Sequence, residues 1–315
     1  MRYFNFSVVV FLSMSLVFSS CQRAVHLYDR GVKKTYTKNS FESKILKANN
    51  HTIHYFDNEL KDKPVLLFIH GFGGDGKVTW ERQVKEFSTD FRVIVPDLLW
   101  FGESFSEENP SLLTQVDAIK SLISHLELQN IHLVGISYGG FVGLSFASEY
   151  ELLLKSLIIV SSPGNVISDE EVSAFCKKNN VTDVKEIFIP KDAEAVKRLF
   201  DISMVKPPRL PMVFYEAIHD SYFSKYPIEQ AKLLDDLPSN KDKIAKKLTI
   251  PVLIMWGKKD EIFSVDNAYK LQKMLQGKLI INPTTGHTYP GEDAKHFNAE
   301  LRHFLQSLDT ISPSN

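Results

Sequence analysis

Short apolar runs alternate with amphipathic segments along most of this 315-residue chain. The apolar runs have the length of strands buried on both faces, and the amphipathic segments repeat apolar residues at helical spacing. Repeated strand–helix units predict a mostly parallel sheet with helices on both faces. Eight strands are predicted, at residues 44–46, 52–56, 65–69, 92–95, 131–136, 157–160, 252–255 and 278–281.

The alternation stops between residues 164 and 247. This stretch holds helical pieces such as 169–178 and 192–203 but no strong buried strand, and several prolines interrupt it. We therefore predict a helical cap at 164–247, inserted after the sixth strand. The α/β core is then formed by residues 44–163 and 248–309.

Composition excludes several classes of protein and of site. The chain is 43% hydrophobic and 24% charged, which is ordinary for a folded domain. Its 37 basic and 38 acidic side chains nearly cancel and form no basic block, so no nucleic-acid partner is expected. Two cysteines cannot form a Cys-based zinc site. No metal and no cofactor are predicted, and the oligomeric state stays open.

The first twenty residues have the layout of a secretory signal. Arg2 supplies a positive start, residues 8–18 are apolar apart from two serines, and Ser19 and Ser20 are the small residues before a cleavage point. The apolar run is shorter than the ~20 residues that a membrane span needs. Residues 1–20 are predicted to be a signal peptide, and the polar residues 21–43 a tether.

A cysteine follows these small residues directly. The sequence Phe18-Ser19-Ser20-Cys21 resembles the lipobox of bacterial lipoproteins, although Phe18 stands where the common pattern has Leu. The resemblance implies that Cys21 carries fatty acids such as palmitate. The protein would then be anchored to the cell membrane or the outer membrane and face an extracytoplasmic space. The alternative is an ordinary signal with a chance cysteine, and a secreted protein. Cys176 is interpreted as structural.

The sequence G-I-S-Y-G-G at residues 135–140 follows the strand at 131–136 and opens a helix. G-x-S-x-G at such a junction is a nucleophile elbow, a sharp turn that exposes the serine hydroxyl above the sheet. A plain strand-to-helix turn is the alternative. Because the motif has the strand context that it requires, Ser137 is the candidate nucleophile.

A serine nucleophile needs a general base, and that base needs an orienting carboxylate. Asp260 follows the strand at 252–255, and His287 follows the strand at 278–281. All three residues therefore reach the carboxyl edge of the sheet, where ligands bind in open α/β folds. Ser137 is predicted as the nucleophile, His287 as the base and Asp260 as its orienting acid.

The acyl-transfer chemistry also needs an oxyanion hole. The N–H of Tyr138, directly after the nucleophile, supplies one donor. The second is expected from the loop H-G-F-G-G at residues 70–74, through the N–H of Phe72.

The same loop supports a rival interpretation. Residues 71–76 match G-x-G-x-x-G, and Asp97 lies 21 residues after Gly76, where a ribose-binding acid would lie in a dinucleotide site. This alternative leaves Ser137, Asp260 and His287 unexplained. We interpret Asp97 instead as a residue that shapes its own loop.

Together these segments resemble the α/β-hydrolase superfamily, and within it the capped esterases and monoacylglycerol-lipase-like hydrolases. The resemblance covers residues ~60–308. The motifs that carry it are residues 70–74, 95–104, 135–140, 256–260 and 286–290 with Phe297. It implies a serine hydrolase without cofactor that cleaves a carboxylic ester through an acyl-enzyme, with the roles named above for the triad and the oxyanion donors.

The cap predicts a lipophilic substrate, because it offers large apolar side chains and few polar anchors. Those side chains are Phe188, Phe200, Met204, Met212, Phe214, Tyr215, Tyr222, Phe223 and Tyr226. Carbon–carbon or thioester hydrolysis on the same triad remains open. So does a surface-anchored binding protein that keeps the hydrolase fold without catalysis.

Overall fold

The structure is a computed structural model that describes residues 6–244 and 247–309, with side chains for 22–240, 244 and 247–308. The strands of the described chain are β1 (Glu42–Ala48), β2 (His51–Asp57), β3 (Val65–Ile69), β4 (Arg92–Pro96), β5 (Phe105–Ser106), β6 (Ile131–Ile136), β7 (Leu154–Val160), β8 (Val252–Gly257) and β9 (Lys278–Asn282). The helices are α1 (Phe6–Lys38), α2 (Gly76–Phe87), α3 (Leu112–His125), α4 (Tyr138–Tyr150), α5 (Asp169–Lys178), α6 (Lys185–Phe188), α7 (Ala193–Ser203), α8 (Met212–Tyr222), α9 (Pro227–Asp236), α10 (Val265–Leu275), α11 (Tyr289–Glu292) and α12 (Ala294–Asp309).

The sheet follows the order β1-β2-β4-β3-β6-β7-β8-β9, and β5 pairs with β2 beside this path. Along this order, neighbouring strands from β4 to β9 are parallel. Strand β2 is antiparallel to both of its neighbours on the path, β1 and β4. The eight strands of the path are the eight that the sequence predicts. The two-residue β5 was not predicted, because so short a pairing leaves no periodic pattern in the sequence.

Helices cover both faces of the sheet. Along β3, Leu67 and Ile69 pack with α3, α4 and α10, whereas Leu66 and Phe68 pack with α1, α2 and α12. This alternation is the two-residue period of a strand with two buried faces. This architecture is the mostly parallel sheet with helices on both faces that the sequence predicts.

The helices α5 to α9 lie between β7 and β8. Helices α5 to α8 enclose a small apolar cluster of their own, centred on Ile187, Val196 and Tyr215, whereas Leu233 of α9 joins an apolar cluster of the core. Side-chain capping sets where two of these helices begin: Ser168 and Glu171 form a capping box at α5, and Asp192 accepts the Ala195 N–H at α7. This arrangement places a helical layer next to the carboxyl edge of the sheet.

The N-terminal segment differs from the tether predicted for residues 21–43. Helix α1 continues to Lys38, and β1 begins at Glu42. Val25, Val32 and Tyr36 are buried, and the last two join the apolar cluster on the α2 side of the sheet. Seven- and four-residue spacings place these three side chains on one helix face, which explains how a mostly polar segment packs on the fold.

The predicted signal peptide lies partly outside the described residues, since residues 1–5 are not described. Residues 6–20 belong to α1. The side chain of Cys21, the predicted acylation site, lies outside the described side chains. None of the described helices combines the length and the apolarity that a membrane crossing requires.

Candidate active site

The turn between β6 and α4 has the geometry of a nucleophile elbow. Ser137 adopts φ 53° and ψ −121°, a strained backbone conformation for a residue with a side chain. A Cβ on Gly135 would lie 2.3 Å from the Gly139 carbonyl oxygen, and one on Gly139 would lie 2.4 Å from that of His70. Only glycine therefore fits at the positions two residues before and two residues after the serine. The turn leaves Ser137 half-buried at the N-terminus of α4.

The predicted base and acid are in direct contact. His287 Nδ1 lies 2.9 Å from Asp260 Oδ2, and both side chains are almost fully buried. The other carboxylate oxygen of Asp260 accepts the backbone N–H groups of Ile262 and Phe263, each at 2.9 Å. Because the carboxylate accepts, the hydrogen bond assigns the proton to Nδ1 and leaves Nε2 free to act as a base.

Ser137 lies at the same edge of the sheet, but no hydrogen bond of the described residues joins its hydroxyl to His287. Catalytic hydrogen bonds are often long without substrate, so this geometry leaves the predicted pairing open. The structure thus brings Asp260 and His287 together and places Ser137 on the elbow of β6. Asp266, which is exposed on α10, is not a partner of the histidine.

The loop at residues 70–74 lies against the nucleophile. A Cβ on Gly71 would be 2.9 Å from Ser137 Cβ, so the backbone of this loop approaches the serine closely. The Phe72 ring lies 5.0 Å from the ring of Tyr138 and 6.4 Å from that of Phe188 in the cap. Neither the Phe72 N–H nor the Tyr138 N–H donates a hydrogen bond within the described chain, so both are available to an oxyanion.

His70 holds the start of this loop, a role that the sequence did not indicate. Its Nδ1 donates to the Gly71 carbonyl at 2.7 Å, and its Nε2 accepts the Leu98 N–H at 2.9 Å. One ring nitrogen therefore donates and the other accepts, which requires the neutral imidazole. Burial lowers the pKa of His70, which also favours the neutral form.

Asp97 is occupied by structural hydrogen bonds. Its Oδ1 accepts the Gly76 N–H at 2.9 Å, and its Oδ2 accepts the Glu103 N–H at 3.1 Å and lies 2.8 Å from His54 Nδ1. Gly102, with φ 52°, packs against the same carboxylate. These contacts agree with the loop-shaping role and leave no free carboxylate oxygen for a ribose.

A cavity of about 420 Å³ lies between α5 and the loop that follows β8. Asp260 and Phe263 border it on the core side, and Phe175 and Phe188 border it on the cap side. The two cap rings stack at 6.1 Å, and the Phe263 ring lies 5.6 Å from His287. A larger open cavity of about 1000 Å³ lies on the cap and is lined mainly by charged residues, and none of Ser137, Asp260 and His287 borders it. Of these two cavities, only the smaller is bordered by one of the three residues, Asp260, while Ser137 and His287 do not line it. The smaller cavity is therefore the candidate site for the substrate.

Phe263 is a site residue that the sequence analysis missed. Its N–H holds Asp260 and its ring contacts His287, so it orients both partners of the pair. In the sequence, only its position three residues after Asp260 could have indicated this role, because the ring contact with His287 joins segments that are distant along the chain.

Known proteins resemble this chain in sequence and in fold. A family model described as alpha/beta hydrolase fold matches residues 64–188. Lipase 1 of Psychrobacter immobilis is 29% identical over 281 residues, which cover 84% of this chain and 84% of that protein. Lipase 3 of Moraxella sp. (strain TA144) is 26% identical, with coverage of 90% and 91%. A solved structure assigned as a lipase, from Acinetobacter baumannii AYE, has a TM-score of 0.78 and 26% identity, with coverage of 90% and 97%. Architecture and similarities together confirm the α/β-hydrolase fold that the sequence predicts.

Proposed function

We propose that this protein is a serine hydrolase that cleaves carboxylic esters of lipophilic substrates through an acyl-enzyme intermediate. The observation that carries the proposal is the buried hydrogen bond between Asp260 and His287, at the sheet edge where the elbow presents Ser137. An oriented imidazole with a free Nε2 is what a serine hydroxyl requires to become a nucleophile.

In the first half of the reaction, Ser137 Oγ attacks the ester carbonyl carbon while His287 Nε2 accepts the hydroxyl proton. The electron pair of the carbonyl bond moves to its oxygen, where the N–H groups of Phe72 and Tyr138 stabilise the negative charge. Collapse of this intermediate breaks the bond to the alcohol oxygen. The alcohol leaves with the proton from His287, and the acyl group stays on Ser137.

In the second half, water replaces the alcohol. His287 accepts a proton from the water as its oxygen attacks the acyl carbon, and the same two N–H groups stabilise the second oxyanion. Collapse breaks the bond to Ser137 Oγ, which recovers its proton from the imidazole. The carboxylic acid leaves and the enzyme returns to its starting state.

Two observations support a lipophilic substrate. The aromatic rings of Phe175, Phe188 and Phe263 line the cavity beside Asp260, and such a surface binds acyl or alkyl chains better than polar groups. The similar proteins from Psychrobacter and Moraxella are named lipases.

Labelling with a fluorophosphonate and turnover of p-nitrophenyl esters of graded acyl length test the proposal. We expect Ser137 to be labelled and Ser137→Ala to lose esterase turnover with an unchanged circular dichroism spectrum. Ser162→Ala is the matched control, since Ser162 is a buried serine that follows β7 at the same sheet edge. Near-wild-type turnover by Ser137→Ala would refute the mechanism.

We further propose that the hydrolase is lipid-anchored through Cys21 and works at a membrane surface. The support is the arrangement of an apolar run, two small residues and a cysteine. Two or more acyl chains anchor a protein stably, whereas one chain binds only marginally. Detergent-phase partitioning and intact mass should show lipid on the wild type and on Cys176→Ala, but not on Cys21→Ala. An unmodified, soluble wild type would contradict the anchor.

A further inference from the structure

The oxyanion loop ends where three helices meet. Asp75, directly after the loop at residues 70–74, caps α2 by accepting the Val78 N–H at 3.0 Å. Helix α1 packs against α2 at this point, because the Tyr36 hydroxyl donates to the Lys77 carbonyl at 3.1 Å. Helix α8 of the cap packs on α1 here as well. The end of the loop is thus in reach of both the N-terminal helix and the cap.

One lysine connects these parts electrostatically. Lys77 Nζ forms an ion pair with Asp75 and a second one with Asp29 of α1, at 3.0 Å. The side chains of Asp29, Lys77 and Asp75 are 23%, 11% and 4% exposed, so solvent screens these contacts little. The Tyr222 ring, at the end of α8, lies 5.8 Å from the same ammonium group.

The charged form of Asp75 is stabilised by Lys77. Burial and the charge of Asp97 raise the pKa of the Asp75 carboxyl, so its charged form needs compensation. Lys77 supplies it: although burial opposes the charged lysine, Asp75 and Asp29 together raise its pKa above the ordinary value. Asp75, the N-cap residue of α2, lies three residues after Phe72. It is therefore held by the Lys77 ammonium group, which also pairs with Asp29 of α1.

We propose that α1 is a positioning element of the active site: through Asp29 and Lys77 it holds Asp75, and with it the loop that presents the Phe72 N–H to the oxyanion. This inference rests on the proposed hydrolase function. Asp29 acts on transition-state stabilisation through Lys77 and touches no substrate.

Asp29→Asn is the informative substitution, because it keeps the shape of the side chain and removes only the negative charge at position 29. Thr35→Val is the matched control, since Thr35 joins α1 to α2 through Glu81 at 2.8 Å without involving Lys77. Asp29→Glu keeps the charge and should restore the wild-type behaviour. All three are measured in the full-length protein, with thermal unfolding recorded for each.

Loss of a whole oxyanion donor costs ~10²–10³ in kcat, so a displaced donor should cost about three- to tenfold. We expect this loss in the kcat of Asp29→Asn for p-nitrophenyl butyrate, with KM within about twofold of wild type. The affinity for an alkyl trifluoromethyl ketone, which forms a tetrahedral oxyanion on Ser137, should fall by the same factor. Thr35→Val should keep both values even if its thermal stability falls.

Wild-type kcat and ketone affinity in Asp29→Asn would overturn the inference and leave the proposed function intact. Equal losses in Asp29→Asn and Thr35→Val would also overturn it, because docking of α1 in general would then be responsible. A wild type that cleaves no ester would overturn the proposed function and this inference with it.

Discussion

Replacing Asp260 with Asn tests the central pair of the site with little change in shape. The asparagine carbonyl can still accept the N–H groups of Ile262 and Phe263. Its NH₂ group, however, would face His287 Nδ1, where the carboxylate now accepts at 2.9 Å. Two donors cannot share that contact, so the imidazole has to move its proton to Nε2 and loses its ability to act as the base.

The size of the effect follows from this change of tautomer. A wrong tautomer in a serine triad lowers kcat by ~10⁴, which corresponds to about 5.4 kcal/mol of transition-state stabilisation. We expect a loss of this order in kcat/KM for p-nitrophenyl butyrate, measured at neutral pH with active-site concentration determined independently. The thermal unfolding temperature should change little, since the bonds from Ile262 and Phe263 remain and the asparagine NH₂ can donate to the deprotonated Nδ1 of His287.

Asp266→Asn provides the matched control, because Asp266 is an exposed carboxylate six residues further along the chain. It should keep the wild-type rate. A loss of less than about tenfold in Asp260→Asn would show that the contact with Asp260 does not set the tautomer of His287, and the reasoning would be wrong.

Three further predictions follow from the geometry. Gly139→Ala should destabilise the fold by ~3 kcal/mol or more in urea denaturation, since its Cβ would lie 2.4 Å from a carbonyl oxygen, whereas Gly291→Ala, with open space around it, should change stability by less than ~1 kcal/mol. Burial lowers the pKa of His70 below the ordinary value of ~6.5, so on acidification this histidine is protonated in the unfolded chain before it is protonated in the folded one. The free energy of unfolding should therefore fall as pH drops below ~6.5. Urea denaturation at pH 7.5 and 5.5 should show this loss, and His70→Gln should reduce it. Phe188→Ala should enlarge the cavity beside Phe175, so its ratio of kcat/KM for p-nitrophenyl decanoate to that for the butyrate should rise at least about threefold; an unchanged ratio would place the acyl chain elsewhere.

Local patterns made the core of this fold predictable. Residues 131–140 combine an apolar strand with glycines that only a tight turn requires, so the sequence alone predicts both β6 and the position of Ser137. Asp260 and His287 were predicted from chain order and from the strands before them, and the structure brings these two side chains into contact. Their catalytic roles, and that of Ser137, stay a prediction.

Contacts between distant segments were not predictable in the same way. The docking of α1 depends on three widely spaced apolar side chains among many charged ones, and on Asp29 meeting Lys77, which is 48 positions away. Sequence periodicity shows which face of a segment is apolar, but it does not show which other segment packs on that face. For the same reason, the bond from His70 to Leu98 and the ring contact of Phe263 emerge only from the fold.

The docked helix α1 determines how far a lipid-anchored form of this enzyme could reach. A free segment covering residues 21–43 would let the domain move roughly 75 Å from the bilayer, at ~3.3 Å per residue. In α1, by contrast, Asp29 lies only eight residues from Cys21, which is about 12 Å along a helix. With lipid on Cys21, the domain would therefore stay against the bilayer in a narrow range of orientations. It would meet substrates by lateral diffusion in two dimensions, and a water-soluble ester would have to come to the surface to be cleaved.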